Sequence, residues 1–208
     1  MGRGRTKPTG SPPAESRGRD EPGAGGASGG RHPAGVRIIA GTRKGHRIAA
    51  PRGSETRPTS DRVRENAFNL IGPVDGASVL DLFAGSGAMG LEALSRGASS
   101  CVFVEGDRDA CRAINANLDR LRLDATVLCQ DVARALARER RAFDLVLCDP
   151  PYAFGDPAGL APYLARVLAP DGLLVYESAG REPPPELEGL AQRTSRKYGS
   201  ARLTLFTR

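Results

Sequence analysis

Five short and almost wholly apolar segments recur after residue 78 of this 208-residue chain, and stretches of helical periodicity separate them. The segments are VLDLFA, CVFVE, ATVLC, FDLVLC and LLVYE, and they begin at residues 79, 101, 125, 143 and 173. Runs of this kind are typical of strands that are covered on both faces. Apolar residues between them recur along one helical side: Ala110, Ile114, Leu118 and Leu121, then Leu160, Leu164, Val167 and Leu168. The alternation predicts right-handed crossovers and a doubly wound, mostly parallel α/β sheet of Rossmann-like type.

The last segments of the chain break this rhythm. RTSRKY and RLTLFT are separated only by Gly199-Ser200-Ala201. Two short strand-like runs joined by such a turn predict an antiparallel hairpin. The hairpin would complete a seven-stranded sheet at its C-terminal edge.

The N-terminal quarter of the chain has a different composition. Residues 1–35 contain ten Gly and five Pro and no large apolar residue after Met1, which predicts a disordered basic tail. In VRIIAGTRKGHRIAAP we expect a small basic β-hairpin, with strands at 36–40 and 46–50, and a linker that continues to residue 58. The main domain would then span residues 59–208.

A helix is predicted at the start of this domain, in TRPTSDRVRENAFNLI. Thr59 or Ser60 can cap it, and one side of the helix is apolar. The apolar positions are Val63, Ala67, Leu70 and Ile71. Arg62 and Arg64 fall off this side, so we expect both to be exposed.

The charge distribution points to a polyanionic partner. Residues 36–64 carry eight basic and two acidic side chains, whereas residues 65–208 carry sixteen and nineteen. A basic segment attached to an acidic body favours nucleic acid as the partner. No stretch of about eighteen apolar residues and no signal peptide occurs, so we expect a soluble cytoplasmic protein without membrane contact. Four cysteines without zinc-site spacing predict reduced thiols and no metal.

A glycine-rich motif, DLFAGSGAMG, begins at Asp81, where the first predicted strand meets the next helix. Glycines allow a sharp turn and close approach of a ligand to the backbone. With Glu105 at the end of the next strand, the motif also fits a dinucleotide-binding fingerprint. Asp81, however, suits a cationic amino group better than a pyrophosphate.

The more specific motif is Asp149-Pro150-Pro151-Tyr152, which follows the fourth predicted strand. Two successive prolines fix the backbone and remove two N–H donors. The Asp149 carboxylate and the Pro150 carbonyl are then a rigid pair of acceptors, suited to the two hydrogens of an exocyclic amine. Tyr152 could stack on the ring that carries this amine.

These motifs together resemble the class I methyltransferases that use S-adenosylmethionine. The match includes DLFAGSGAMG, Glu105, Gln130-Asp131-Val132 and DPPY. The segments VRIIAGTRKGHRI and RPTSDRVRENAFN, with the terminal KYGSARLTLF, narrow the resemblance to the RsmD family over residues 36–208. This family methylates the 2-amino group of a guanine in bacterial 16S ribosomal RNA.

The resemblance implies roles for particular residues. Around the S-adenosylmethionine cofactor it implies the methionine-side residues Asp81, Phe83, Ala84, Gly85 and Gly87, the ribose ligand Glu105, and the adenine-edge residues Asp131 and Val132. Gly106 supplies no side chain to stack on the adenine. The catalytic segment would be Asp149, Pro150, Pro151 and Tyr152. The RNA contacts would be Arg43, Lys44, Arg47, Arg57, Thr59, Arg62 and Arg64. We expect a monomer that acts on 16S rRNA within an assembling small ribosomal subunit.

Other functions stay open at this point. DPPY-type motifs also serve methyltransferases of DNA bases and of protein glutamine. The glycine-rich motif with Glu105 alone would fit an NAD-binding oxidoreductase, which leaves DPPY unexplained. A non-catalytic RNA-binding assembly factor with the same fold is a further alternative.

Overall fold

The computed structural model describes residues 36–51, 61–151 and 157–208. These residues all belong to one unit, Pro33–Arg208. The predicted tail lies outside the described residues, as do Arg57, Thr59 and Tyr152. The domain limits proposed from the sequence therefore stay predictions.

A seven-stranded sheet forms the centre of the protein. Its strands are β1 (Ser78–Leu82), β2 (Ser100–Glu105), β3 (Thr126–Cys129), β4 (Phe143–Cys148), β5 (Leu168–Ala179), β6 (Ala191–Tyr198) and β7 (Ala201–Thr207). The order across the sheet is β3-β2-β1-β4-β5-β7-β6. Strands β1 to β5 pair in parallel, and β7 is antiparallel to both β5 and β6. The doubly wound sheet with its antiparallel C-terminal hairpin is thus confirmed.

Within residues 36–51, 61–151 and 157–208, five α-helices cover the two faces of this sheet. They are α1 (Asp61–Ile71), α2 (Ala88–Ser95), α3 (Arg108–Leu121), α4 (Val132–Arg138) and α5 (Ala161–Val167). The front face, which includes Val79, Phe103 and Leu147, packs against α1, α2, α3 and residues 36–51, which we call the N-terminal segment. The back face, which includes Leu80 and Val146, packs against α4 and α5. The predicted apolar sides of α3 and α5 are buried in these two cores.

Helix α1 departs from its predicted orientation at one residue. Of the predicted apolar side, Ala67 is buried, and Val63, Leu70 and Ile71 are half-buried against the core. Phe68, which was not predicted, is buried, and Arg64 is fully buried. Its Nη2 donates to the Arg37 carbonyl at 2.6 Å and to an Asp61 carboxylate oxygen at 2.9 Å. The N-terminal segment lies over this side of α1, so a cation that helical periodicity assigns to solvent is enclosed.

The N-terminal segment forms a shorter hairpin than the sequence suggests. Arg37 and Arg47 form one antiparallel bridge. On either side of it Ile38 N donates to His46 O and Ile48 N donates to Val36 O, both at 2.9 Å. A 3₁₀ turn, Gly41–Arg43, lies between the two arms.

Glu92 of α2 fastens this segment to the main body. Its carboxylate accepts hydrogen bonds from Ile39 N at 2.7 Å and Ala40 N at 2.9 Å. It also accepts from Arg96 Nε at 2.8 Å, and Arg64 Nε lies 3.8 Å away. Glu92 is fully buried, so all its stabilisation comes from these partners. We call these residues the junction.

The expectation of four reduced thiols is wrong for two of them. Cys111 of α3 and Cys129 of β3 form a disulfide, while Cys101 and Cys148 are buried free thiols. Because α3 packs against β3, two cysteines distant in sequence meet there, which their spacing does not reveal. Among the helices of the described residues, none is long and apolar enough to cross a membrane.

Candidate active site

The two sequence motifs meet where the sheet changes winding direction. Strands β1 and β4 are neighbours, with Leu82 paired to Cys148 at their carboxyl ends. The glycine-rich loop follows Leu82, and Asp149 follows Cys148. Open α/β sheets bind ligands at the carboxyl edge beside such a switch point. The fold therefore brings the two motifs into one candidate site.

The glycine-rich loop has an unusual backbone. Phe83, Gly85 and Gly87 have φ values of 58°, 55° and 78°, in the left-handed region. A Cβ on Gly85 would meet nothing within 4 Å, so open space lies in front of this residue. A Cβ on Gly87 would come within 3.2 Å of Ile114. Gly85 therefore leaves room for a ligand, whereas Gly87 allows helix α2 to begin close to α3.

Most N–H groups of this loop are used within the protein. Ala84 N donates to Val104 O at 3.2 Å, and Gly87 N donates to Ala84 O at 2.7 Å. Gly85 N donates to the Glu105 carboxylate at 2.7 Å. A loop that cradles a pyrophosphate directs its N–H groups at the ligand. Here a carboxylate occupies one of those positions.

Glu105, the predicted ribose ligand, lies at the end of β2. Its second oxygen accepts from Asp107 N at 2.8 Å, so the carboxylate bridges the glycine-rich loop and the start of α3. Asp107 in turn caps α3 by accepting from Ala110 N. These bonds fix the orientation of the Glu105 carboxylate at the edge of the site.

Asp81 is the most deeply buried acid of the site. It is 4% exposed, and its carboxylate accepts from Gly90 N at 2.9 Å. Burial raises the pKa of Asp81 to about 8, against the lowering effect of this hydrogen bond. The nearby carboxylates of Asp149 and Glu105 contribute to this rise. A cation placed beside Asp81 would relieve this unfavourable charge.

The DPPY segment is described up to its third residue. Asp149 is exposed, Pro150 is buried and Pro151 is exposed. The Asp149 carboxylate raises the pKa values of Asp81, Tyr176 and Glu177, so it lies among these groups. Tyr152 lies outside the described residues, and its predicted stacking role stays a prediction.

Sequence reasoning missed Glu177, an acidic residue of the same site. Tyr176 of β5 pairs with Cys148 of β4, so Glu177 lies beside Asp149 at the next level of the sheet. Burial raises the pKa of Glu177 to about 8, and the Asp149 carboxylate adds to this. Glu177 ends the apolar run LLVYE, as Glu105 ends CVFVE, and that parallel could have indicated it.

The predicted adenine-binding residues begin helix α4. Asp131 caps the helix by accepting from Arg134 N at 2.9 Å, and Val132 is buried. They follow β3, two strands away from β1 in the sheet. This order gives a row of candidate contacts along the carboxyl edge, from Asp131 through Glu105 to Asp81.

The predicted RNA-binding residues fall into two groups. Lys44, Arg47 and Arg62 are exposed. Arg43 is half-buried, and its Nε donates to Leu121 O at 2.7 Å. Arg64 is fully buried in the junction, so the expectation that it holds RNA phosphates is wrong for this structure.

The described residues contain no group of three or more His, Cys, Asp or Glu side chains that could hold a metal ion. The acidic groups of the site therefore do not form a metal centre in this part of the chain.

Comparison with known proteins identifies the family. The family model described as "Conserved hypothetical protein 95" matches residues 36–207. Ribosomal RNA small subunit methyltransferase D of Escherichia coli strain K12 is 41% identical over 145 residues, which are 69% of this chain and 71% of that protein. The chain belongs to the RsmD family.

Solved structures agree with this assignment. The structure of yhhF from Escherichia coli matches this RsmD-family protein with a TM-score of 0.74 at 33% identity, over 84% of this chain and 98% of that one. SMU.776, solved in complex with SAH, shares the fold at 17% identity with a TM-score of 0.59, over 70% of this chain and 48% of its own. The predicted class I methyltransferase fold is thus confirmed.

Proposed function

We propose that this RsmD-family protein transfers a methyl group from S-adenosylmethionine to the 2-amino group of a guanine in 16S rRNA, in the cytoplasm, during maturation of the small ribosomal subunit. The observation that carries the proposal is the pairing of Leu82 with Cys148, which brings the glycine-rich loop and Asp149-Pro150-Pro151 to one edge. The relative from Escherichia coli named as a small-subunit rRNA methyltransferase supports the RNA substrate.

The chemistry of the site suits this cofactor. S-adenosylmethionine carries a cationic ammonium and a cationic sulfonium, and when bound it supplies a methyl carbon activated by the positive sulfur. The site offers the buried Asp81 with carboxylates of Asp149 and Glu105 nearby. A cation beside Asp81 would lower the pKa of that carboxyl and stabilise its charged form. The related fold of SMU.776, which was solved with SAH, gives independent support.

The remaining cofactor contacts are proposed from the order of the strand ends. Glu105 would accept hydrogen bonds from the ribose hydroxyls, and Asp131 with the Val132 N–H would bind the adenine edge. Phe83, Ala84, Gly85 and Gly87 would surround the methionine part. Gly106 adds no stacking surface, because it lacks a side chain. The space beside it is open, since a Cβ there would meet nothing within 4 Å.

Asp149 would act on the target amine. Its carboxylate and the Pro150 carbonyl would accept the two amine hydrogens, which directs the nitrogen lone pair away from them and toward the methyl carbon. The nitrogen becomes cationic as it is methylated, and the Asp149 carboxylate would stabilise that charge until a proton leaves to solvent. A base paired in a helix cannot present its amine in this way, so the nucleotide must be unpaired or flipped out.

The dinucleotide alternative fits the site less well. A pyrophosphate beside the loop would meet the carboxylates of Asp81, Glu105 and Asp149, and Gly85 N is already bound to Glu105. Two negative groups in one partly buried site repel each other. We therefore expect SAH to raise the melting temperature of the protein and NAD to leave it unchanged.

The decisive experiment is methyl transfer to ribosomal RNA. Small subunits from a bacterial strain that lacks its own RsmD-family enzyme are incubated with the protein and S-adenosylmethionine labelled in the methyl group. We expect label in 16S rRNA at one guanine, released on digestion to nucleosides as N2-methylguanosine. A protein that binds the subunit and transfers no label would be a binding factor, and label in another base would overturn the guanine assignment.

A further inference from the structure

The residue that sequence reasoning missed, Glu177, bears on which base the site accepts. We propose that the Glu177 carboxylate accepts a hydrogen bond from the ring N1–H of the target base, and that this bond selects guanine over bases whose amine has no ring N–H beside it. The inference rests on the proposed function, because it assigns a specificity-determining residue to the same site.

The position of Glu177 follows from strand register. Tyr176 and Cys148 are paired across β5 and β4, so Glu177 and Asp149 occupy the next level on neighbouring strands, which lie about 4.8 Å apart. Side chains alternate between sheet faces along a strand. Val175 and Leu147 belong to the front-face core, so Glu177 and Asp149, two residues further along, share the front side with Asp81. The two carboxylates are therefore neighbours on the front side of the sheet, at the edge where the glycine-rich loop follows β1.

Among the residues that the structure describes, none beside Glu177 compensates its charge. Its strand neighbours are Leu203 of β7, which is buried and apolar, and the acidic Asp149. Within the described residues no side chain or backbone N–H donates to its carboxylate. Burial and the Asp149 carboxylate raise the pKa of Glu177 to about 8, which means that the ionised form is poorly stabilised where it lies. A half-buried carboxylate without a donor among the described residues is stabilised by an incoming N–H group.

The chemistry of the bases makes this donor diagnostic. In guanine the 2-amino group lies between N1–H and the unprotonated N3, so two donors stand side by side where the amine meets N1–H. In adenine and cytosine the exocyclic amine is adjacent to an unprotonated ring nitrogen, which would face the Glu177 carboxylate with a lone pair. Asp149 and Pro150 would hold the amine in any of these bases, whereas Glu177 would distinguish them. A site that hydrogen-bonds one group of its substrate rejects an analogue that lacks it.

The test uses a guanine analogue that keeps the 2-amino group and loses N1–H together with the C6 carbonyl oxygen. Small subunits are reconstituted with 16S rRNA that carries guanine, 2-aminopurine or inosine at the mapped position. 2-Aminopurine keeps the 2-amino group but has an acceptor at N1, and inosine keeps N1–H but has no amine. We expect the parent protein to methylate guanine on the order of 10- to 100-fold faster than 2-aminopurine, as for one charge-assisted hydrogen bond, and not to methylate inosine.

The variant Glu177→Gln then separates specificity from structure. A glutamine amide can donate to the 2-aminopurine N1 as well as accept from guanine N1–H, so we expect the rate ratio of guanine to 2-aminopurine to fall toward one. The control is Asp171→Asn, the same chemical change at an exposed residue six positions earlier on β5, which should keep the parent ratio. SAH affinity, measured by calorimetry, should be unchanged in both variants.

The possible failures are distinct. Equal parent rates on guanine and 2-aminopurine would overturn the role of Glu177, as would a Glu177→Gln variant that slows both substrates by one factor. Neither result would affect the proposed function. Labelled inosine, or no label in guanine, would overturn the proposed function itself.

Discussion

Two regions of the molecule bury carboxylates in opposite ways. At the junction, Glu92 is fully buried and accepts from two backbone N–H groups and from Arg96, with Arg64 nearby. At the candidate site, Asp81 is nearly as buried, but it has one backbone donor and its charged neighbours are the carboxylates of Asp149 and Glu105. The junction contains its own positive charge, whereas no residue in the described part of the site supplies one to Asp81.

This difference separates structural from functional charge. A buried carboxylate whose cations belong to the fold stabilises the native state, and removing it leaves those cations uncompensated. A carboxylate crowded by other carboxylates destabilises the native state until a cation arrives. The first arrangement fastens the N-terminal segment to the sheet domain. The second suits a cationic ligand such as the proposed cofactor.

The largest effect that tests this comparison is expected at Asp149. The change Asp149→Ala removes a negative charge and the acceptor proposed for the target amine. We expect methyl transfer in a single turnover to fall on the order of 10³-fold, while SAH binding by calorimetry stays within a few-fold. The matched control is Asp124→Ala, which removes an exposed acid just before β3, at the opposite end of the strands. Full activity of Asp149→Ala would refute the role given to this residue.

The next largest effect is expected at the junction. Glu92→Ala removes one of the two carboxylates beside the buried Arg64, leaving only Asp61, and removes the acceptor of two backbone N–H groups, so the free energy of unfolding should fall by about 3–5 kcal/mol. Urea unfolding at neutral pH measures this change. Glu65→Ala, which removes an exposed acid of α1, should change the unfolding free energy by less than about 0.5 kcal/mol. A Glu92→Ala protein as stable as the parent would show that the junction does not depend on its internal ion pairs.

Neutralising an acid of the site is expected to change the free energy of unfolding in the opposite direction to Glu92→Ala. The pKa of Asp81 is about 8 in the folded protein against 3.8 ordinarily, so between these values the unfolded chain releases a proton that the folded protein retains. Stability is therefore fully present below the ordinary pKa and is lost as the pH rises toward 8, by up to about 1.4 kcal/mol per pH unit.

Asp81→Asn keeps the acceptor for Gly90 N and removes this proton linkage. Urea midpoints across this pH range should therefore decline less steeply for the variant than for the parent. Glu177, whose pKa is also raised to about 8, leaves a second such dependence in both proteins. Parallel curves for the two proteins would mean that Asp81 is ionised throughout, and the contrast with Glu92 would disappear.

The two regions also differ in how far the sequence predicts them. The alternation of apolar strands and helices was enough to predict the sheet. The motifs at the ends of β1 and β4 were enough to predict that Asp81 and Asp149 share one candidate site. Glu177 was within reach of the same rule, because it ends an apolar strand. Its partnership with Asp149 depends on the pairing of β5 with β4, which the chain order alone does not specify.

The junction was not predictable from local patterns. Arg64 lies off the apolar side of α1, and a single helix gives no sign that a segment 27 residues away will cover it. The Cys111–Cys129 disulfide has the same origin, since it depends on the packing of α3 against β3. Contacts between elements distant in sequence decided both features.

The smallest effect concerns the exposed side of the N-terminal segment, which the junction holds in place. Lys44 and Arg47 are exposed and available to RNA phosphates, whereas Arg64 is enclosed. Each alanine substitution at Lys44 or Arg47 should weaken rRNA binding a few-fold and reduce the slope of log affinity against log salt by about one, because one phosphate contact and its released counterion are lost. Filter binding across a salt series measures both, and Arg140→Ala, which removes an exposed cation just before β4, serves as the control.

Unfolding free energies should match the parent in all three variants, since none of these side chains belongs to the junction. An unchanged salt slope for Lys44→Ala and Arg47→Ala would remove the N-terminal segment from the RNA interface and leave the junction with a purely structural role.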